Sequence, residues 1–348
     1  MKRLFLCFIC ALNVVPLAYL NAQNNHSYII TGRKEGKTPD QYFEWEWDTV
    51  KHVLSVSGPG CNNWDGSWKN ITTVKLAADV KDISFIQWGV SRTLKKIQVD
   101  KDSKYLALID GVLTNKTKDT LLLYPGGIRK SKYIIPSSIK CIYYDAIEAS
   151  IDTLVISSNV KDIKDPWYNL SGIKHFEVKN NPNYSVRYGI LCANDTSTFD
   201  MFLPSTIEKI PFIAPKRFLE EVTECTKDGC IFKGHKPVVL IFCTKTQTES
   251  IRLVENMSLI YAEFKDVVDF YRVEINRASG AAAPIQDIFK MYYYPSMCIF
   301  DGEYQGEPHL YFKKKGNIMF CWHNYDAVRN LLLKLLSERK TRTTQNER

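Results

Sequence analysis

Short apolar segments recur at a nearly constant spacing through the first part of the chain, and this recurrence limits the possible folds more than any other feature. Residues 73–83 read TVKLAADVKDI and residues 153–163 read TLVISSNVKDI, with apolar residues at the same offsets. A second pair shares a Pro-Ser-Ser/Thr-Ile core, at residues 133–142 and 201–210. Successive segments start about 21 to 23 residues apart, which lies in the range of leucine-rich repeats. The spacing therefore predicts a stack of similar units.

Each unit needs its neighbours in order to bury its apolar face. A unit offers one short strand with inward side chains at alternate positions, and then a bend that contributes further apolar side chains. A longer variant of the unit occurs at residues 97–113 and 176–191. Stacking buries these side chains, and each Leu, Ile or Val contributes about 1.5–3 kcal/mol. An antiparallel sandwich of similar hairpins is the alternative. The repeated offsets favour a β-rich solenoid at residues 71–216, after an N-terminal lead-in at 23–70.

In these details the repeats resemble the BspA-like leucine-rich-repeat proteins, a family of exported bacterial surface proteins. Residues 94–139, with the strings LKKIQVD, DGVL, LLLYP and IPSSI, are similar to the long repeat of that family. Residues 43–68, with FEWEW and LSVSGPG, resemble the strand pair that often precedes its repeats. The resemblance covers about residues 43–213. It implies a protein of the periplasm, the outer surface or the secreted fraction, with protein or peptide partners that it does not identify.

Beyond the repeats, strands and helices alternate. The predicted elements are strand 237–243, helix 247–265, strand 267–275, helix 281–292 and helix 324–338. The first of these, PVVLIFC, is a continuous apolar run, which is typical of a strand buried on both faces. The helices show apolar residues at three-to-four spacing. The order predicts an α/β domain at residues 217–340, followed by a disordered basic tail at 341–348.

Residues 235–338 resemble a thioredoxin fold that has lost its redox cysteines. In that family the turn between strand and helix carries Trp-Cys-x-x-Cys, and these positions fall here on Thr246, Gln247 and Ser250. An amide and a hydroxyl neither attack a disulfide nor resolve a mixed disulfide, so no enzyme activity is predicted. The family also has a cis-proline beside which an extended partner chain pairs by strand addition. The peptide groove that the resemblance implies is formed by Thr246, Gln247, Ser250, Tyr294 and Pro295.

The same part of the chain has three other interpretations. Thr246 and Glu249 have the spacing of a capping box, so this segment can serve only to start a helix. Cys243 or Cys298 could act as a lone thiol in an atypical thiol–disulfide or chaperone-like protein acting on exported clients. Apolar surroundings raise the pKa of a thiol, which argues against this chemistry. In the third interpretation the solenoid alone binds partners and the second domain is a structural cap.

The N terminus has the pattern of a secretion signal. A basic start, Met-Lys-Arg, precedes an apolar run at residues 4–20, and Ala22 offers a small residue for cleavage, which predicts a signal peptide at 1–22. A membrane anchor is the alternative, but Asn13 and Pro16 interrupt the run. No later segment is apolar for about 18 residues, so no transmembrane segment is predicted after signal removal.

Charge and motif content exclude several further classes. The formal net charge is +8, yet no arginine-rich run alternates with aromatic residues, so nucleic-acid binding is not predicted. The six histidines have no metal-site spacing, and no cofactor motif is present. Cys225 and Cys230 bracket a turn-forming Thr-Lys-Asp-Gly and are a candidate disulfide in an oxidising compartment. The sequence therefore predicts an exported, non-catalytic binding protein of two domains.

Overall fold

The computed structural model of the protein shows two compact units. It describes residues 28–38, 41–60, 68, 70–84, 91–148, 151–164, 170, 172–195, 201–226, 229–234, 236–244, 247–275, 295–300, 309–311 and 325–346. One unit comprises Met1–Asp152 with Asn159–Gly172, and the other comprises Thr153–Ser158 with Ile173–Arg348. The predicted boundary at residues 216 and 217 lies inside the second unit. The predicted signal peptide and the predicted helix at 281–292 lie outside the described residues.

The first unit begins with an antiparallel meander that becomes a parallel ladder. Its first sheet contains β1 (Ile29–Glu35), β2 (Tyr42–Asp48), β3 (Val53–Ser57), β4 (Thr73–Leu76) and β5 (Lys96–Val99). The pairs β1–β2 and β2–β3 are antiparallel, whereas β3–β4 and β4–β5 are parallel. The parallel strands start 20 and 23 residues apart (53 to 73 and 73 to 96). Parallel pairing at this spacing is the geometry of stacked turns, so the predicted β-rich solenoid is confirmed.

Alternate residues of the ladder form its core. Leu54, Val74 and Ile97 are in register on three successive strands, and all three side chains are buried. The aromatic rings of Phe43 and Trp68 lie 6.3 Å apart, and both belong to the same apolar cluster as the ladder residues. The lead-in segment therefore covers the first turn, as a capping unit must in a repeat array.

Further strands continue the first unit. They are β6 (Leu106–Ile109), β7 (Val112–Asn115), β8 (Thr120–Leu123), β9 (Lys130–Ile134), β10 (Cys141–Ile142) and β12 (Asp162–Ile163). Strands β8, β10 and β12 pair in parallel, and β6–β7 and β7–β8 pair antiparallel. The unit is thus a solenoid in which a hairpin is inserted between parallel turns.

The two long repeats contain the same hairpin. In the first unit it joins β6 to β7, and in the second unit it joins β14 (Tyr184–Arg187) to β15 (Ile190–Ala193). Each turn has two residues with positive φ: Asp110 and Gly111 at 50° and 82°, and Tyr188 and Gly189 at 50° and 81°. A two-residue turn of this type requires positive φ at both positions, which glycine adopts without strain. The recurrence in the sequence is therefore a recurrence of turn geometry.

The second unit contains the last repeats and an α/β sheet. Its elements are β11 (Ile151–Ile156), β13 (His175–Val178), β14, β15, β16 (Met201–Phe202), β17 (Phe212–Ile213), α1 (Pro215–Arg217), a π-helical turn (Phe218–Val222), β18 (Thr223–Thr226), β19 (Gly229–Phe232), β20 (Val238–Cys243), α2 (Thr248–Phe264), β21 (Asp269–Glu274), β22 (Ser296–Phe300), β23 (His309–Tyr311) and α3 (Tyr325–Asn346). The α/β sheet has the order β17-β21-β20-β22-β23. Its first three strands are parallel, and β22 is antiparallel to them. The edge strand β23 is antiparallel to β22 and therefore runs in the same direction as the first three strands.

One apolar core joins the last repeat to this sheet. Ile190 and Met201 of the repeat belong to the same buried cluster as Ile241 of β20 and Leu332 of α3. The terminal repeat therefore does not end in an open apolar face, because the α/β sheet and its helices cover it.

The two long helices are joined by a partly buried ion pair. Tyr325 Oη and Arg329 Nε each donate a 2.7 Å hydrogen bond to the carboxylate of Glu263. Burial raises the pKa of Glu263, but the hydrogen bonds from Arg329 and Tyr325 outweigh it, so the pKa lies below its ordinary value. The helix α3 continues through Asn346, so the disordered tail predicted at residues 341–348 is wrong for residues 341–346. No glycine or proline interrupts the chain after residue 325, so nothing in the local sequence ends the helix earlier.

Candidate functional site

The site predicted from the sequence lies where β20 ends and α2 begins. All six residues of β20 are buried, because the strand is central in the sheet and covered on both faces. Val239 and Ile241 belong to the apolar cluster on one face, and Leu240 and Phe242 to the cluster on the other. The strand therefore fixes the position of the loop that follows it, at the carboxyl edge where α/β sheets commonly bind ligands.

Three polar side chains form a closed network at this junction. The Thr244 N–H donates to Ser250 Oγ at 3.1 Å, and Ser250 Oγ in turn donates to Gln247 Oε1 at 3.3 Å. The Thr244 hydroxyl donates to the same Gln247 oxygen at 3.4 Å. Ser250 is 1% exposed, and these bonds satisfy its hydroxyl. The structure thus brings Gln247 and Ser250 together, and it adds Thr244, which the sequence marks only as the first polar residue after the apolar run.

The helix starts one residue later than the capping-box interpretation requires. Gln247 is the N-cap, with φ −88° and ψ 120°, and its side chain makes no capping hydrogen bond. A capping box would have Thr246 in that position instead. The network with Thr244 and Ser250 explains the difference, because it commits the Gln247 side chain to the loop. Thr246 itself lies outside the described residues.

Pro295 lies at the same edge of the sheet as this loop. Strand β22 is antiparallel to β20, with Ser296 paired to Phe242. Pro295 precedes Ser296, so it is positioned beside Cys243, the last residue of β20, and it is buried. Tyr294, the remaining predicted groove residue, lies outside the described residues. The groove residues that the structure describes therefore converge on one end of two adjacent strands.

The cysteines near the site are buried in the sheet. Cys243 is 4% exposed and donates from Sγ to the Val273 carbonyl oxygen at 3.8 Å, and Cys298 is fully buried. Burial raises the pKa of Cys243 to about 11 and raises the pKa of Cys298 still further from its ordinary value. A thiol with such a pKa is almost entirely protonated at neutral pH, and the protonated form is not a nucleophile.

The hairpin of β18 and β19 places Cys225 directly opposite Cys230 in its register. Residues that face each other in an antiparallel pair have Cα atoms about 4.5–5.5 Å apart, which lies within the range of disulfides. The register is thus compatible with the disulfide expected from the sequence.

We expect Cys243 and Cys298 to resist alkylation in the folded protein. Iodoacetamide at pH 7.5, followed by mass spectrometry, is expected to modify them at least about a hundredfold more slowly than in denaturant, because neither thiol is accessible or ionised. Cys225 and Cys230 are expected to be modified only after reduction. Rapid modification of either sheet cysteine in the native protein at pH 6 would contradict this expectation.

Two further classes of site are not found in the part of the chain that the structure describes. No group of three or more His, Cys, Asp or Glu side chains could hold a metal ion there. Likewise, none of the helices among the described residues has the length and apolar character needed to cross a membrane.

Comparisons with known proteins find similarity to solved structures alone. No protein-family model and no curated protein matches the chain. The crystal structure of the pneumococcal vaccine antigen PcpA is 19% identical over 32% of this chain and 29% of that chain, with a TM-score of 0.29. A leucine-rich repeat protein from Eubacterium ventriosum is 13% identical over 42% of this chain and 72% of that chain, with a TM-score of 0.21. The match thus spans less than a third of the length of the vaccine antigen.

Proposed function

We propose that this is an exported, non-catalytic binding protein in which a BspA-type leucine-rich-repeat solenoid precedes a redox-inactive thioredoxin-like domain. The thioredoxin-like assignment is supported by the sheet order β17-β21-β20-β22-β23, in which only β22 runs opposite to the other four strands. It is also supported by a helix that follows β20 at the loop and by a closing helix. Export rests on the predicted signal peptide at residues 1–22.

The observation that carries the proposal is the network among Thr244, Gln247 and Ser250. It occupies the positions of the two redox cysteines with an amide and a buried hydroxyl that bond to each other. Neither position has a thiol, and Cys243 and Cys298 are buried in the sheet, which raises the pKa of both. What such a loop retains is the backbone beside Pro295, where an extended peptide pairs by strand addition. Its role is therefore peptide capture without turnover.

The solenoid contributes a second, more extended surface. Lys75 and Gln98 face outward at matching positions of β4 and β5, opposite the buried face of the ladder. Extended repeat surfaces of this kind bind proteins through many small contacts. The apolar core that joins the last repeat to the α/β sheet supports an additional structural role, in which the second domain caps the solenoid.

Blocking the loop is expected to remove peptide binding. Extended peptides selected from a display library on the intact protein are expected to bind Gln247→Trp at least about tenfold more weakly, because a partly exposed side chain at the N-cap would be replaced by a bulky ring. Ile251→Trp is the matched control, since Ile251 is 47% exposed on the first turns of the same helix. Fluorescence anisotropy with the selected peptides measures both.

The controls separate this proposal from its competitors. If Gln247→Trp and the parent protein bound the peptides equally well, the groove would be ruled out as the binding surface and the solenoid would remain. Capture that disappears after alkylation, or that yields a mixed disulfide on a non-reducing gel, would instead support the lone-thiol protein acting on exported clients. Unchanged capture after alkylation is expected.

A further inference from the structure

The first unit contains a polar pocket of about 420 Å³ that is separate from the proposed groove. Four stretches of chain line it: His52, Asn70 and Thr72, Arg92 with Thr93 and Lys95, and Gly126 with Gly127 and Arg129. His52, Thr72 and Lys95 each immediately precede a strand of the ladder, namely β3, β4 and β5. The stacking of three turns therefore brings equivalent positions together at one end of the sheet.

Two glycines allow the fourth stretch to close the pocket. A Cβ atom on Gly126 would lie 2.6 Å from the Ser91 carbonyl oxygen, and one on Gly127 would lie 2.6 Å from that of Thr93. The backbone approaches this closely only because neither residue has a side chain. The Gly126 N–H donates to the Ser91 carbonyl at 2.8 Å. This turn holds Arg129 at the rim, next to the ends of the ladder strands.

The charge of the pocket is strongly asymmetric. Arg92, Lys95 and Arg129 line it, and none of its lining residues is acidic. Arg92 pairs with Glu148, which also accepts a 2.6 Å hydrogen bond from the Ser91 hydroxyl. Within the described ranges, Lys95 and Arg129 have no carboxylate partner. Two uncompensated cations therefore face a concave space.

An unsatisfied donor or acceptor lies in the same wall. The Nδ1 atom of His52 is buried and has no hydrogen-bond partner among the described residues, although His52 lines the pocket. Leaving a buried polar atom without a partner is unfavourable. A ligand or a bridging water molecule could satisfy this nitrogen only if the ring turned toward the pocket, because the nitrogen is buried in the unliganded chain.

From these observations we propose that the pocket binds a phosphate or sulfate group carried by a small polar molecule the size of a sugar. Lys95 and Arg129 hold the oxyanion through charge-assisted hydrogen bonds, for which a guanidinium and an ammonium are the preferred donors. The volume lies in the range of small-molecule sites, so it accommodates more than a bare ion. Asn70, Thr72 and Thr93 line the remainder. The two threonine hydroxyls donate to the carbonyl oxygens of His52 and Ile71, so they offer a sugar hydroxyl an acceptor, whereas the Asn70 amide offers both donor and acceptor.

Calorimetric titration of the full-length mature protein tests the site with four probes: glucose 6-phosphate, glucose 6-sulfate, inorganic phosphate and neutral glucose. We expect the two esters to bind and glucose not to bind, with affinity falling as salt rises from 50 to 300 mM because the contacts are ionic. If inorganic phosphate bound as tightly as the ester, the ligand would be the free oxyanion. If the ester bound more tightly, the ligand would be the sugar-borne group. No ester binding at millimolar concentration would overturn the proposal.

Matched variants locate the binding. Lys95→Met and Arg129→Met are each expected to weaken ester binding about tenfold to a hundredfold, the range for a lost hydrogen bond to a charged group. Lys96→Met is the control, because Lys96 is the next residue, is exposed and does not line the pocket. Glu148→Gln is expected to strengthen binding severalfold, since it releases Arg92 from its carboxylate. An equal loss in the Lys96 variant would refute the assignment.

A measurement on the unmodified protein guards against variants that fail to fold. Lysine acylation followed by mass spectrometry is expected to show that glucose 6-phosphate protects Lys95 but leaves Lys96 as reactive as before. Equal protection of both lysines, or of neither, would contradict the site.

Discussion

A double variant that carries Gln247→Cys and Ser250→Cys is expected to form a disulfide within the loop and to gain insulin-reducing activity. The two positions are the N-cap and third residue of α2, three residues apart, which is the spacing of a redox Cys-x-x-Cys. The N-terminal end of a helix lowers the pKa of a thiol placed there, so the first cysteine is expected to be the nucleophile. The pair is expected to be mostly oxidised in a glutathione buffer poised at about −200 mV.

Two comparisons make this result specific. The Gln247→Cys single variant is expected to form only a mixed disulfide with glutathione, because it has no resolving thiol. The parent protein is expected to show no activity, since its sheet cysteines are buried. Mass spectrometry and the turbidity of reduced insulin report the outcome. Two thiols that stay reduced and unlinked at pH 8 in oxidised glutathione would mean that the loop does not have thioredoxin-like geometry.

The second large effect is expected at the centre of the repeat ladder. Val74→Asp places a carboxyl group at a fully buried position between Leu54 and Ile97. Burying a charged or unsatisfied polar group costs several kcal/mol, and the burial of the valine, about 2 kcal/mol, is lost as well. We expect the free energy of unfolding of the first unit to fall by about 4 kcal/mol or more, measured by urea denaturation followed by circular dichroism.

Lys75→Asp is the control for this variant. Lys75 is the next residue of the same strand, but its side chain is exposed on the opposite face. Its replacement is expected to change the free energy of unfolding by less than about 0.5 kcal/mol, as is usual for surface positions. Similar effects of the two variants would show that the assigned register is incorrect, because a shift by one residue exchanges the two faces of a strand.

Much of the fold could be predicted because its elements carry strong periodic signals. The apolar run at residues 237–243 became β20 at Val238–Cys243, and the helix predicted at 247–265 became Thr248–Phe264. The longer repeat variant noted at residues 97–113 and 176–191 became a hairpin with the same two-residue turn in both copies. Side-chain periodicity and turn chemistry are local properties, so the sequence displays them directly.

What could not be predicted depends on contacts between distant segments. Strand β17 (Phe212–Ile213) has only two residues, and it belongs to the sheet because it pairs with β21, which begins at Asp269. The N-cap of α2 falls on Gln247 because Thr244 and Ser250 engage its side chain, and no capping rule contains that information. The pocket lined by Lys95 and Arg129 exists only once the turns are stacked. Aligning the repeats on the residue that precedes each strand would have grouped three of the pocket residues, His52, Thr72 and Lys95.

The core that joins the last repeat to the final helix also sets the order in which the protein can fold during its synthesis. Ile190 is buried against a cluster that includes Leu332, and 142 residues separate them (190 to 332). At about 5–20 residues per second, the ribosome needs about 7–30 s to make that interval. Until α3 is made, the last repeat lacks part of its cover. A chain truncated before α3 would therefore keep an apolar repeat surface exposed and would be prone to aggregate.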